Sequence, residues 1–188
     1  MKRTAVVLLL LIVMSGCSRS PAPPTPMPDE RFGAPNISAP RDVRPFAGDP
    51  CAGPLSSGEW DELGFAGSAQ RRTLAVGENS CAREGPGRQR YAALIVAGSR
   101  DVLVETYRTR LFPIFRSVDV GGLPAVVEQN SEQSVSCTVS VGTAEDQGFV
   151  LNYSEYELGP DGRPNDPCGR AQRVAMRIVA ALPPLPGK

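Results

Sequence analysis

Five cysteines constrain this chain more than any other feature. Cys17 stands alone near the N-terminus, and Cys51, Cys81, Cys137 and Cys168 are spread over the rest of the 188 residues. No two share a Cys-x-x-Cys spacing, so a metal site would have to gather four thiolates from remote segments. What precedes Cys17 points to the compartment. Lys2 and Arg3 form a positive start, and residues 5–14 (AVVLLLLIVM) are an unbroken apolar run of ten. A helix needs roughly 20 apolar residues to cross a bilayer, so this run has the proportions of a secretory signal over residues 1–16. Four further cysteines in an exported chain imply two disulfides. Three connectivities are open. Cys51–Cys81 with Cys137–Cys168 is favoured, because each closes a loop of about 30 residues within one half of the domain, contributing roughly 3–4 kcal/mol in the chain-entropy model.

The apolar run ends in Met14-Ser15-Gly16-Cys17, which resembles the bacterial lipobox: an apolar residue, two small ones, then cysteine. Met14 stands where that motif usually has leucine. The resemblance implies that Cys17 is diacylglycerylated and becomes the first residue of the mature chain, held in the membrane by fatty acyl chains. Each buried methylene adds ~0.8 kcal/mol, and more than one chain is needed for stable anchoring. Losing residues 1–16 removes Lys2 and Arg3 and leaves 18 basic against 20 acidic side chains. A faintly acidic protein gains nothing from an anionic surface, so the lipid must do the anchoring. Residues 17–48 then read as the acylated cysteine and a proline-rich tether. With eight prolines and few large apolar groups, residues 18–48 should bury little and matter little to stability. Such a tether would reach toward ~90 Å if stiff, or about 30 Å as a coil. Phe32, Ile37, Val43 and Phe46 are the side chains in it able to dock.

The globular domain is expected over 49–184. Ser56-x-x-Glu59 has the form of a capping box and predicts a short helix at 57–63. Strands are expected at 71–77, 80–84 and 90–97, then a helix from Arg100 to Phe112 with Leu103, Tyr107 and Leu111 on one face. Further strands are expected at 114–120, 124–130, 134–142 and 147–157. In the third of these Val135, Cys137, Val139 and Val141 alternate with polar residues. Asp166-Pro167 opens a last helix, in which Ala171, Val174, Ala175, Ile178 and Leu182 share a face. The sum is an α+β fold, a mainly antiparallel sheet with two or three covering helices and two disulfides.

Composition excludes several chemistries. There is no histidine, and lysine occurs only at Lys2 and Lys188. Histidine-dependent nucleophiles and Ser-Lys dyads are therefore ruled out or nearly so. Equal numbers of basic and acidic groups argue against nucleic acid as a partner. No residue is assigned to catalysis, a cofactor or a metal. Glu59, Asp61 and Glu62 around Trp60, the sole tryptophan, fit a helix's first turns better than a glycosidase pair. Asp161, Asn165 and Asp166 carry oxygens but lack the order of a calcium loop, and fit a turn and a helix cap. Asn36-Ile37-Ser38 and Asn152-Tyr153-Ser154 match glycosylation sequons by coincidence. Tyr153 and Tyr156 fall on opposite strand faces, so one should be exposed.

Asp49-Pro50-Cys51, Leu55, Ser56, Glu59 and Leu63-Gly64 resemble the opening of an actinobacterial cell-envelope lipoprotein family catalogued only as a domain of unknown function. Asn79-Ser80-Cys81, Gly122-Leu123-Pro124-Ala125, Cys137-Thr138-Val139 and Asp166-Pro167-Cys168 resemble its later landmarks in order. The resemblance covers 49–183. It departs after the second cysteine of the domain, where that family has an aromatic and this chain has Ala82-Arg83. It implies an envelope lipoprotein with two disulfides and no known reaction. The expected role is a membrane-anchored, non-enzymatic lipoprotein on the extracytoplasmic face, binding another envelope protein or envelope component. Two alternatives are a carrier of an apolar or lipid ligand in a cavity lined by Leu94, Val96, Val139 and Ile178, and a small carboxylate-based hydrolase. Two acidic groups converging in one cleft would favour the hydrolase.

Overall fold

The computed structural model describes residues 30–75, 77–163 and 165–187. The signal, Cys17 and the tether as far as residue 29 lie outside them. Seven antiparallel strands make one sheet: β1 (Gln70–Thr73), β2 (Asn79–Glu84), β3 (Arg90–Ala97), β4 (Ile114–Val120), β5 (Leu123–Gln129), β6 (Ser136–Ala144) and β7 (Gln147–Glu155). Their spatial order is β1-β2-β3-β7-β6-β5-β4, two meanders joined where β3 pairs with β7. The helices are α1 (Arg44–Ala47), α2 (Ser57–Glu62), α3 (Val102–Thr109) and α4 (Pro167–Ala181). Since β3 is central and β4 is the far edge, the chain between them must cross one sheet face, and it carries α3 there. After β7 the chain returns over the opposite face as α4.

Period-two alternation assigns the faces. Ala92, Leu94 and Val96 of β3, Ala125 and Val127 of β5, Cys137, Val139 and Val141 of β6, and Phe149, Leu151 and Tyr153 of β7 all enter one core. Ala171, Val174, Ala175, Ile178 and Leu182 meet them from α4, the face expected from their helical spacing. Asp166 caps α4 by accepting the Gly169 N–H at 2.8 Å, and Ser56 with Glu59 forms the full capping box of α2. Leu94, Val96, Val139 and Ile178 are packed side chains of this core. They line neither of the two concavities described below, which speaks against the carrier reading.

The disulfides are Cys51–Cys81 and Cys137–Cys168, with sequence separations of 30 and 31. The first ties the short 3-10 turn Pro50–Ala52 to β2, and the second ties β6 to the first turn of α4.

The strand expected over 71–77 ends at Thr73, where Leu74 N–H donates to Glu78 O and Gly77 N–H to Leu74 O in a turn, and two further expectations require correction. The helix expected over 100–112 ends at Thr109, because Arg110 turns left-handed at φ +42° and Phe112 precedes Pro113, which disfavours helical backbone before it. Leu111 is therefore not on the apolar face of α3 but 74% exposed. The packed body also begins well before residue 49. Ala34 joins Leu103, Tyr107 and Val126 under α3, and Arg31 pairs with Asp101 at 3.1 Å. Val43 is 1% exposed, and its N–H donates to Gln147 Oε1 at 2.8 Å. Pro40, Arg41 and Asp42 run against the C-terminal tail, with Asp42 N–H on Pro183 O and Leu185 N–H on Pro40 O. Low average hydropathy concealed a few well-placed apolar groups, and backbone pairing with residues 183–185 is a long-range contact that composition does not encode.

Burying a valine contributes about 1.5–3 kcal/mol. A chain starting at Pro45 should accordingly melt about 5 °C or more below one starting at Ser18. Calorimetry of the two checks this, and coincident melts would show that the docked segment adds nothing.

Candidate functional site

The two faces of the sheet differ in what covers them. On the core face α4, 15 residues long, spans the strands. On the other face α3 has 8 residues and extends about 12 Å, against about 30 Å for the 9-residue β6. It sits over the ends of β6 and β7, where Gly142 pairs with Gly148. A Cβ on Gly142 would lie 3.0 Å from Leu103 Cβ, and one on Gly148 would lie 2.9 Å from Val102 Cβ. The glycines thus let the helix approach the sheet closely. Beyond the helix the same rows change character. Ser140 pairs with Val150, Thr138 with Asn152, and Glu128 of β5 with Thr138. These residues floor an open cleft of about 360 Å³, walled by Arg100, Glu105, Thr106, Thr109, Leu111 and Phe112.

Glu128 is the chemical centre of this cleft. It is 4% exposed, and its Oε1 has no hydrogen-bond partner among the described residues. Burial pushes its carboxyl above the ordinary glutamate value, opposed by hydrogen bonds from the Phe112 and Leu111 amides. Those amides follow the left-handed Arg110, so the early end of α3 is what delivers them. Thr138 Oγ1 donates to Asn152 Oδ1 at 2.9 Å across the floor. On the wall, Arg100 pairs with Glu78 and with Glu105. Glu78 and Glu105 thus compensate the Arg100 charge, while Glu128 has no cationic partner in the cleft.

Keeping a buried carboxylate without a full set of partners costs stability. Because the folded state raises the Glu128 pKa, its stabilising contribution is complete below the ordinary carboxylate range. It is lost as pH rises through the folded value. Glu128→Gln should remove that slope and melt at or above the parent near neutrality, as thermal melts over a pH series would show. A marked drop at every pH would make Glu128 a structural group instead.

A second concavity, of about 480 Å³, lies where residues 37–44 and 185–186 meet the β6–β7 turn. Its buried Gln147 accepts the Val43 N–H on Oε1 and keeps only a neutral Nε2 donor without a partner among the described residues, and Asp42, lowered mainly by its hydrogen bond to Arg44, is satisfied there. That leaves the Glu128 cleft as the better candidate.

The residues singled out in the sequence are distributed elsewhere. Glu59 bonds to Ser56 N and Oγ, which together with Arg177 lowers its pKa. Glu59 and Glu62 both reach Arg177 of α4, at 3.7 and 3.2 Å, so this acidic group clasps two helices. Trp60 is a core residue, edge-on to Phe65 at 5.6 Å. Arg83 lies 5.3 Å from the Trp60 ring, a flat cation where the family resemblance implied an aromatic. Burial lowers its guanidinium pKa, with Asp61 opposing. Asp161 accepts the Arg163 N–H at 3.0 Å in a turn. Asp166 caps α4, and Asn165 Oδ1 would lie 2.9 Å from a Cβ on Gly159. Tyr156 is exposed and Tyr153 buried, with its hydroxyl donating to Glu155 Oε2 at 2.9 Å.

Glu155 forms an ionic knot that sequence reasoning missed. It is wholly buried and meets Arg90 at 3.1 Å and Arg170 at 3.3 Å. Burial first, and then Glu155, push the Tyr153 hydroxyl up to about 12. This knot joins β3, β7 and α4 near Cys137, which pairs with Tyr153. Glu128 was equally missed. The only available signal was a carboxylate inside the apolar strand LPAVVEQ, next to a strand whose polar half reads as ordinary solvent face.

No curated protein and no solved structure matches this chain. The family model described as "Protein of unknown function (DUF3558)" matches residues 12–181, nearly the whole chain, and the protein belongs to that family.

Proposed function

We propose that this protein is a cell-envelope lipoprotein, held at the extracytoplasmic face of the membrane through acylated Cys17, with a non-enzymatic binding role centred on the Glu128 cleft. The observation that carries the binding role is the buried Glu128, which lines an open cleft beside Thr138, Ser140 and Asn152 and has one carboxylate oxygen without a partner among the described residues. The anchoring is supported by the Met14-Ser15-Gly16-Cys17 sequence and by two disulfides, which persist in oxidising compartments. Among the described residues no helix is long and apolar enough to cross a membrane. Because Ala34 is already packed against Leu103, Tyr107 and Val126, the free reach of the tether is shorter than the ~90 Å expected when it ran to residue 48.

Cys17→Ala should move the protein from the membrane fraction to the soluble fraction and abolish incorporation of labelled fatty acid. Cell fractionation with metabolic acyl labelling reads both. Membrane retention at the parental level would mean that residues 1–16 act as an uncleaved anchor.

One observation favours a hydrolytic second reading: two acidic residues, Glu128 and Glu105, line the same cleft. It ranks below binding because Glu105 is neutralised by Arg100. Turnover of chromogenic glycosides that disappears in Glu128→Gln would reverse the ranking.

A further inference from the structure

Resting on the reading of the Glu128 cleft as a binding surface, we infer that its ligand carries a primary ammonium group beside hydroxyl or amide groups. The ammonium seats on Glu128 Oε1, and the neighbouring polar groups lie along Thr138, Ser140 and Asn152.

The argument starts from the donors and acceptors left over in the cleft. Glu128 Oε1 is the buried acceptor with no partner. An ionised carboxylate removed from water needs N–H or O–H donors, and gains most when the donor is itself charged. The walls supply the neutral Leu111 and Phe112 amides but no free charged donor, because Arg100 is bound by Glu78 and Glu105. Arg110, just past the end of α3, has its guanidinium over Phe115 at 4.8 Å and Tyr107 at 5.9 Å. Phe115 is the strand partner of Glu128, and the carboxylates that line the cleft are Glu105, paired with Arg100, and Glu128. The charge left uncompensated is thus negative, which disfavours anions and selects a cation. A space of about 360 Å³ takes a small organic group, and the Thr138–Asn152 pair offers it further hydrogen bonds. Leu111, exposed at the rim, covers the ligand's apolar edge.

Binding should also report on Glu128 itself. A seated ammonium favours the ionised carboxylate, so association displaces the proton that burial stabilises. Affinity should then rise with pH as Glu128 ionises, while the ligand's own amine stays protonated.

D-Glucamine and D-sorbitol differ only in an ammonium against a hydroxyl, and both fit the test. In two-dimensional NMR titrations of the purified protein, glucamine should saturably shift the amides of Leu111, Phe112, Thr138 and Asn152. Sorbitol should bind at least about tenfold more weakly. Glu128→Gln should abolish the preference. In the unmodified protein, glucamine should move the Glu128 carboxyl carbon resonance toward its ionised position, a readout independent of whether the variant folds. Equal binding of the two polyols, or a preference that survives Glu128→Gln, would overturn the ammonium inference and leave a neutral binding cleft. A silent Glu128 resonance during saturable binding would overturn it too. If neither compound shifts those amides, the inference and the binding reading both fall.

Discussion

A chain in which Cys51, Cys81, Cys137 and Cys168 are all alanine is expected to be largely unfolded at about 37 °C, whereas either pair of replacements alone gives a folded protein that melts lower. Each bridge closes a loop of 30 or 31 residues. The chain-entropy model assigns roughly 3–4 kcal/mol to such a loop, and whole-domain stability is typically about 5–15 kcal/mol. Losing one bridge is survivable because a seven-stranded sheet with a continuous core remains. Losing both removes most of a typical margin. The bridges also act at different places: Cys51–Cys81 pins the segment before α2 to β2, and Cys137–Cys168 pins α4 to β6. Their effects should therefore be nearly additive. Thermal melts of the three variants under oxidising conditions test this. A quadruple variant that melts within a few degrees of the parent would show that the core alone specifies the fold.

Glu155→Ala is expected to cost about 3–5 kcal/mol, a fall in melting temperature of roughly 6–20 °C. The reason is what it leaves behind. The wholly buried Glu155 Oε2 accepts from Tyr153 and Arg90 and forms an ion pair with Arg170, and removing it leaves a buried hydroxyl without its acceptor and two guanidinium groups without this counter-charge. Arg90 and Arg170 retain partial access to water, and Arg90 lies 3.5 Å from Glu157, so the lower half of the range is the better expectation. Glu155→Gln, which keeps the volume and one acceptor, should cost less. Urea unfolding of both variants separates lost charge from lost packing. Equal effects would make the site a matter of shape, and a shift under about 1 kcal/mol for alanine would remove the knot from the list of what holds α4 to the sheet.

Most of the scaffold was legible because its signals are local. Ser56-x-x-Glu59 forms its capping box within four residues, and Asp166-Pro167 caps and opens α4 in the same way. Alternation along residues 137–141 and helical spacing from Ala171 to Leu182 name the core faces without any knowledge of the partner. The disulfide pairing followed from loop length. Where the expected pattern ran past its end, as with Leu111, the cause was also local: a left-handed Arg110 followed by Phe112-Pro113.

The ends of the body and the candidate site followed different rules. Val43 lies in a proline-rich stretch whose composition says linker, yet it is buried because Gln147, about a hundred residues away, accepts its N–H. Glu128, Thr138, Ser140 and Asn152 look like the solvent halves of alternating strands, and alternation alone cannot tell open solvent from a cleft. What made them a site is that α3 is too short to cover the face it crosses, and that strand order places β5, β6 and β7 side by side. The amino-acid sequence by itself determined the elements, their buried faces and the bridges, since each depends on neighbours a few residues away or on loop length. Only the tertiary structure decided that Glu155 is buried between two arginines and that Glu128 is buried at a cleft without a cation, because desolvation depends on everything packed around a group rather than on its place in the chain.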